Sequence, residues 1–186
     1  MFKKRITACL IVKEGRVVQS LGFNQYLPVG RVSVAVEFLN RWGIDEIIIV
    51  DMDATSQGRE PNYEMIREAS KKNFVPLTVG GGIKTVEHIR MLVHCGADKI
   101  AINTVALENP ELITEASGVF GAQCIVVSMD VKKNTKGSYE VYKNSAKIPT
   151  GKDPVSWSKE VERYGAGEIL LNSIDRDGAK QGYDID

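Results

Sequence analysis

The sequence is poor in the residues that mark several protein classes. Its 186 residues hold three cysteines, Cys9, Cys95 and Cys124, widely spaced and set in apolar segments. An odd, scattered set of this kind suits reduced thiols in an intracellular protein rather than the disulfide framework of a small secreted one. There is no CxxC, and the two histidines, His88 and His94, stand six apart in a helical stretch. That spacing, with no further ligands, does not suit a zinc site. No apolar run approaches the roughly 20 residues of a membrane span. The basic start Met1-Phe2-Lys3-Lys4-Arg5 leads into a brief apolar stretch that reaches Lys13-Glu14 without a small-residue cleavage site, and so reads as no signal peptide. Neither sign of charge prevails, since 24 Lys and Arg balance 24 Asp and Glu. This removes the overall field that would draw a nucleic-acid backbone or an anionic membrane. The expectation is a cytoplasmic protein with no nucleic acid or membrane partner, no metal and no cofactor.

With 43% hydrophobic residues the chain has enough apolar surface to bury a sizeable core, which excludes disorder. Short β-branched runs alternate with longer amphipathic stretches, the pattern of repeated βα units on a parallel sheet. Strands are expected at 6–12, 46–50, 76–79, 99–102, 125–129 and 168–171. Helices are expected at 32–42, 63–72, 85–94, 110–119 and 154–164, with Gly43, Gly96, Gly121 and Gly165 as stops. Period alone fits either an open doubly wound sheet or most of an eight-stranded barrel. Polar residues separate the two: Asp51 and Asp53, Gly80 to Gly82, Asn103 and Thr104, Asp130, and Asp175 and Asp177 all follow strand ends. Spread over five strands, they suit the C-terminal face of a (βα)8 TIM barrel better than one crevice. Such a barrel needs about 200 residues or more. The reading is therefore an α/β fold of (βα)8 type with about six βα units present, a single domain over 1–186 that is incomplete at its C-terminal end.

An internal echo points the same way. Gly43-Ile44-Asp45-Glu46-Ile47-Ile48 is matched 122 residues later by Gly165-Ala166-Gly167-Glu168-Ile169-Leu170, and Asp53 by Asp175. Ile11-Val12-Lys13 is matched 119 residues later by Asp130-Val131-Lys132. This predicts two half-barrels, the first over about 1–120 and the second starting near 121.

Several of these positions suggest chemistry. Gly80-Gly81-Gly82 stands between a strand and a helix, where bare backbone N–H groups can cradle a phosphate; a tight turn is the alternative. Asn103 and Thr104, at the end of the next strand, add amide and hydroxyl donors and favour the phosphate site. Asp130 ends an apolar strand and is a candidate general acid or base, with loop capping or pairing to Lys132 as the alternative. Asp51 and Asp177 could orient substrate hydroxyls or hold loops. At the opposite strand ends, Arg5, Glu46, Lys99 and Glu168 balance in charge, as groups converging at the narrow end of a barrel must. A salt-bridge layer and a functional gate fit that spacing equally.

Lys4-Arg5-Ile6 with Cys9, Val12-Lys13-Glu14-Gly15-Arg16-Val17-Val18, Gly58-Arg59-Glu60, Val79-Gly80-Gly81-Gly82-Ile83, Gly96-Ala97-Asp98-Lys99 and Ser173-Ile174-Asp175-Arg176-Asp177-Gly178 together carry a family resemblance. The whole chain resembles the cyclase subunit of imidazole glycerol phosphate synthase, a (βα)8-barrel enzyme of histidine biosynthesis. The resemblance implies a glutaminase partner docked on the N-terminal face of the barrel in a heterodimer. Ammonia made there passes through the barrel and attacks a ribulosyl phosphoribosyl aminoimidazole carboxamide nucleotide, giving imidazole glycerol phosphate and an aminoimidazole carboxamide ribotide. By position, Arg5, Glu46, Lys99 and Glu168 match the family's ammonia gate. Gly82, Asn103 and Thr104 match one phosphate site, Asp51 and Asp177 match substrate contacts, and Asp130 matches one of two catalytic aspartates; Gly81 and Gly178 join them as candidate substrate- and phosphate-binding residues.

The second aspartate is missing. The family's first strand reads Cys-Leu-Asp-Val-Lys, whereas here it reads Cys9-Leu10-Ile11-Val12-Lys13, and Ile11 cannot transfer a proton. A positioned acid or base is worth about 10² to 10⁴ in rate. The family's loop lysine after Val17-Val18 is also replaced, by Gln19, which donates hydrogen bonds without the charge. The first expectation is a cyclase with impaired or altered activity. Two alternatives stand beside it: a paralogue that delivers ammonia for amidination of a surface sugar, and a noncatalytic scaffold that docks a partner.

Overall fold

The computed structural model describes residues 4–185. Contacts divide them into two compact units, one formed by the chain up to Val18 together with Pro28–Ile100, the other by Gln19–Leu27 together with the chain from Ala101 onward. Among the described residues no helix is long and apolar enough to cross a membrane.

The chain begins with β1 (Thr7–Lys13), β2 (Arg16–Leu21) and β3 (Gln25–Gly30), followed by α1 (Val32–Arg41). It continues through β4 (Glu46–Asp51), α2 (Met52–Ser56), α3 (Tyr63–Ser70), β5 (Leu77–Gly80), α4 (Val86–His94) and β6 (Lys99–Ile102). In the first unit β4 lies between β1 and β5, parallel to both. The interior run Ile47, Ile48, Ile49 and, on β5, Leu77 and Val79 are buried, as a parallel strand covered on both faces requires. The helices turn Val36, Ile66, Ala69, Ile89 and Leu92 inward. Local chemistry fixes their starts: the Asn62 side chain accepts from Met65 N, and Thr85 accepts from His88 N. Between β1 and β2 the turn residues Glu14 and Gly15 take φ of 50° and 73°, the two left-handed residues of a tight hairpin.

In the second unit the elements are α5 (Thr104–Glu108), α6 (Glu111–Phe120), β7 (Ile125–Lys133), β8 (Tyr139–Lys143), β9 (Ile148–Pro149), α7 (Pro154–Tyr164) and β10 (Glu168–Ser173). A parallel pair, β7 with β10, is extended by the antiparallel β8 and β9. Helix α7 has Asp153 as N-cap, Pro154 in its first turn and Gly165 at φ 103° as its C-cap. Trp157, Val161, Leu112, Ile113, Ile125 and Val127 make the core.

The two parallel pairs share one register. Thr7 faces Glu46 and Ile11 faces Val50 in the first; Val126 faces Glu168 and Asp130 faces Asn172 in the second. Asp45 N donates to Ile6 O at 3.2 Å, and Gly167 N to Ile125 O at 3.1 Å. Beyond each pair the same contact closes the turn: Glu14 N donates to Asp53 Oδ2 at 2.8 Å, and Lys133 N to Asp175 Oδ2 at 3.0 Å.

All six expected strands and all five expected helices form, within a residue or two at most ends. The sequence reading misses the hairpin strands β2, β3, β8 and β9, which are short and carry exposed residues on their outer faces. It also misses α2 and α5, five residues each, too short for a helical period to show. One correction bears on the site. Strand β7 does not stop at 129 but runs to Lys133, because β8 pairs against its last residues. Asp130 therefore sits inside a strand, not after its end.

Candidate active site

In the second unit Asp130 is 5% exposed and is held from two sides. Asn172, its register partner on β10, donates its side-chain amide to Oδ1 at 2.9 Å, and Asn103 donates to Oδ2 at 2.8 Å. Burial pushes the Asp130 carboxyl up to about 6, against the pull of the two amides and with a small addition from the charge of Asp177. A carboxyl poised there takes and returns a proton near neutral pH. Asn172 also reaches Ser128 Oγ at 3.2 Å. Sequence reasoning did not single it out, although an amide following Ile169-Leu170-Leu171 on an apolar strand was a usable signal.

Thr104 Oγ1 accepts from Asn144 N at 3.1 Å, which fastens the turn between β8 and β9. In that turn Asn144, Ser145 and Ala146 all have positive φ. Asp177 Oδ2 accepts from Ser20 Oγ at 2.6 Å and from Phe23 N at 3.1 Å, while its carbonyl accepts from Gly22 N at 2.9 Å. Of the two roles considered for Asp177, holding a loop is the one its hydrogen bonds express. Gly178 adds to the clasp: its φ is 63°, and a Cβ there would lie 2.5 Å from Ser20 O.

In the first unit Asp51, 4% exposed, ends β4. Its Oδ1 accepts from Asp53 N at 3.2 Å and from Arg59 Nη2 at 2.8 Å. The hydrogen bond to Asp51 holds the Arg59 guanidinium proton still more firmly than usual. Buried Asp53 receives Glu14 N and, at 3.5 Å, Lys13 Nζ. The glycine loop packs directly on this cluster. A Cβ on Gly81 would lie 2.2 Å from Asp51 O, and one on Gly82 2.8 Å from Arg59 O. Only glycine fits here, since both residues also have positive φ, 109° and 73°. The Gly82 N–H makes a long contact, 3.4 Å, to Thr55 Oγ1.

At the other end of the same strands Glu46 Oε1 lies 2.5 Å from Arg5 Nη1 and 3.7 Å from Lys99 Nζ. The structure thus brings three of the four expected gate residues together. The fourth, Glu168, opens β10 in the second unit, at the register position that Glu46 occupies on β4. Ile11 faces Val18 on β2 and Val50 on β4, so its register partners are apolar where Asp130 meets the amide of Asn172.

The sequence matches the family described as "Histidine biosynthesis protein" over residues 5–186. It is 50% identical over 186 residues to a Vibrio vulnificus protein that bears the name of an imidazole glycerol phosphate synthase subunit, an alignment that covers all of this chain and 68% of that relative. It is 46% identical over 187 residues to the imidazole glycerol phosphate synthase subunit HisF of Clostridium botulinum strain 657, covering all of this chain and 74% of the relative. The same subunit of strain Okra is 45% identical over 187 residues. The α/β fold with its parallel βα units, the glycine loop beside Asp51 and the buried Asp130 are those of a (βα)8-type chain, and the protein belongs to the cyclase-subunit family of imidazole glycerol phosphate synthase, a family of histidine biosynthesis.

Proposed function

We propose that this chain is an ammonia-using cyclase subunit with weakened proton-transfer chemistry. In this reading a glutaminase docks on the N-terminal ends of the strands as the second half of a heterodimer. Ammonia passes the charged residues Arg5, Glu46, Lys99 and Glu168 and reaches a phosphorylated nucleotide at the C-terminal ends. Gly81 and Gly82 in the first unit, and Asn103 and Thr104 in the second, are the phosphate-binding residues. Asp51 accepts from a substrate hydroxyl, and Asp177 with Gly178 holds the segment 19–27 in place.

Asp130 is the acid–base residue. The observation that carries this assignment is its burial between two amide donors, with a carboxyl pushed up to about 6. Near neutral pH such a group protonates a departing or developing anion and recovers the proton in a later step. The cyclisation needs proton transfers at more than one site, and Ile11 occupies the position that would supply a second acid. The shared register of the two parallel pairs supports this, because Ile11 on β1 corresponds to Asp130 on β7. It also supports the two-half organisation, with the second half beginning near 121.

The test is turnover of the ribulosyl phosphoribosyl aminoimidazole carboxamide nucleotide with excess ammonium, for the wild-type chain and for Ile11→Asp. Weak turnover that rises by about 10² to 10⁴ in Ile11→Asp is expected. Full turnover without the substitution would show that a different group serves as the second acid. No turnover in either protein, with a glutaminase still bound and activated, would favour ammonia delivery to another acceptor.

A further inference from the structure

The motif Gly58-Arg59-Glu60 has no part in the chemistry above, yet the structure ties it to two parts of the candidate site. Arg59 anchors on both sides: Nε donates to Gln57 Oε1 at 2.8 Å and Nη2 to Asp51 Oδ1 at 2.8 Å. Its backbone carbonyl is one of the atoms that leave Gly82 no room for a Cβ, and Lys84 Nζ donates to Gly58 O at 3.3 Å from the far side of the glycine loop. One short segment therefore braces both the carboxylate that ends β4 and the loop that follows β5.

The consequence for Asp51 is asymmetric. Arg59 and the Asp53 N–H both use Oδ1, and Oδ2 takes no hydrogen bond among the described residues. A carboxylate this buried is costly unless it is paired, and a single buried carboxylate without a partner would turn toward whatever donor it could find. With Oδ1 tied to a guanidinium that is itself fixed by Gln57, the side chain has one orientation and one open acceptor. We propose that Arg59 is a positioning residue that fixes Asp51 with Oδ2 free to accept from a hydroxyl of the sugar-phosphate substrate, while its carbonyl sets the shape of the Gly81-Gly82 loop. This rests on the reading of Asp51 as a substrate contact.

The experiment is calorimetric titration of the whole chain with the ribulosyl phosphoribosyl aminoimidazole carboxamide nucleotide. Wild type, Asp51→Asn, Arg59→Gln, Arg59→Lys and the double variant Asp51→Asn with Arg59→Gln are compared, each checked for a wild-type circular dichroism spectrum. Expected are a loss of affinity of about tenfold or more in Asp51→Asn and about tenfold in Arg59→Gln, with partial rescue in Arg59→Lys, which keeps the charge but not the planar fork. The double variant should bind about as weakly as Asp51→Asn alone, because the two residues act through one contact. A folded Arg59→Gln with wild-type affinity, or losses that simply add, overturns the role of Arg59. If Arg59→Gln does not fold, Arg59→Lys carries the test, and wild-type affinity there overturns it. Wild-type affinity in Asp51→Asn, or no binding by the wild-type chain, overturns instead the reading of Asp51 on which the role rests.

Discussion

Asn172 on β10 faces Asp130 on β7 in register and gives its side-chain amide to Asp130 Oδ1 at 2.9 Å. The bond stabilises the charged form of a carboxyl that burial drives toward the neutral one. Asn172→Ala removes the larger of the two contributions that pull the Asp130 pKa down. The Asp130 limb of the pH–activity profile should then move to higher pH. A profile of kcat/KM from pH 5 to 9 for both proteins reads this directly, and an unmoved limb would separate Asp130 from that limb.

The same carboxyl shapes stability against pH. Its folded-state value, about 6, is above the ordinary 3.8, so the folded protein binds the proton more tightly than the unfolded chain. The group is therefore neutral in effect below about pH 4, costs increasing stability as pH rises toward 6, and carries its full cost above that. The difference corresponds to about 3 kcal/mol. Asp130→Asn abolishes the titration, so the stability of the variant relative to wild type should rise by about 2 kcal/mol between pH 4 and pH 7. Urea unfolding at a series of pH values measures it, and a constant difference would contradict the shift.

Gly81 carries a prediction of the opposite sort. A Cβ there would meet the Asp51 carbonyl at 2.2 Å on a backbone with φ 109°. Gly81→Ala should cost about 3 kcal/mol or more, because neither backbone can give way cheaply. Gly118, exposed within α6 and open on all sides, is the control. Gly118→Ala should stabilise by about 0.5 to 1 kcal/mol through helix propensity. Denaturant midpoints of the two variants should move in opposite directions.

Asp177 clasps the turn between β2 and β3 through Ser20 Oγ and Phe23 N. Asp177→Ala removes both bonds. Hydrogen exchange at the Phe23 amide should accelerate by about tenfold or more, while amides in the core of β7 keep their protection. Equal protection of Phe23 in both proteins would mean that other contacts hold the turn.

The parallel strands and the long helices were legible because each rests on a strong local pattern. Ile47-Ile48-Ile49 reads as a buried strand, Gly165 stops α7, and carboxylates after apolar runs mark strand ends. The partners of Asp177 and the role of Arg59 were not legible. Both depend on partners far along the chain or across a loop: Ser20 lies 157 residues from Asp177, and Arg59 meets Asp51 only because α2 turns the chain back. The place of Asp130 within its strand is not legible either, since the extension of β7 depends on pairing with β8 and not on any period within β7. Asn172 was hidden by the internal echo itself, which sets it against Val50, a residue with no polar role.

The turn beyond each parallel pair is closed by a carboxylate from the next strand's end, Asp53 under Glu14 and Asp175 under Lys133. Neither contact involves the position three residues earlier, where Ile11 stands in one unit and Asp130 in the other. The frame is thereby independent of what it presents: the residue at position 11 or at position 130 can be exchanged without removing the bond that closes its turn.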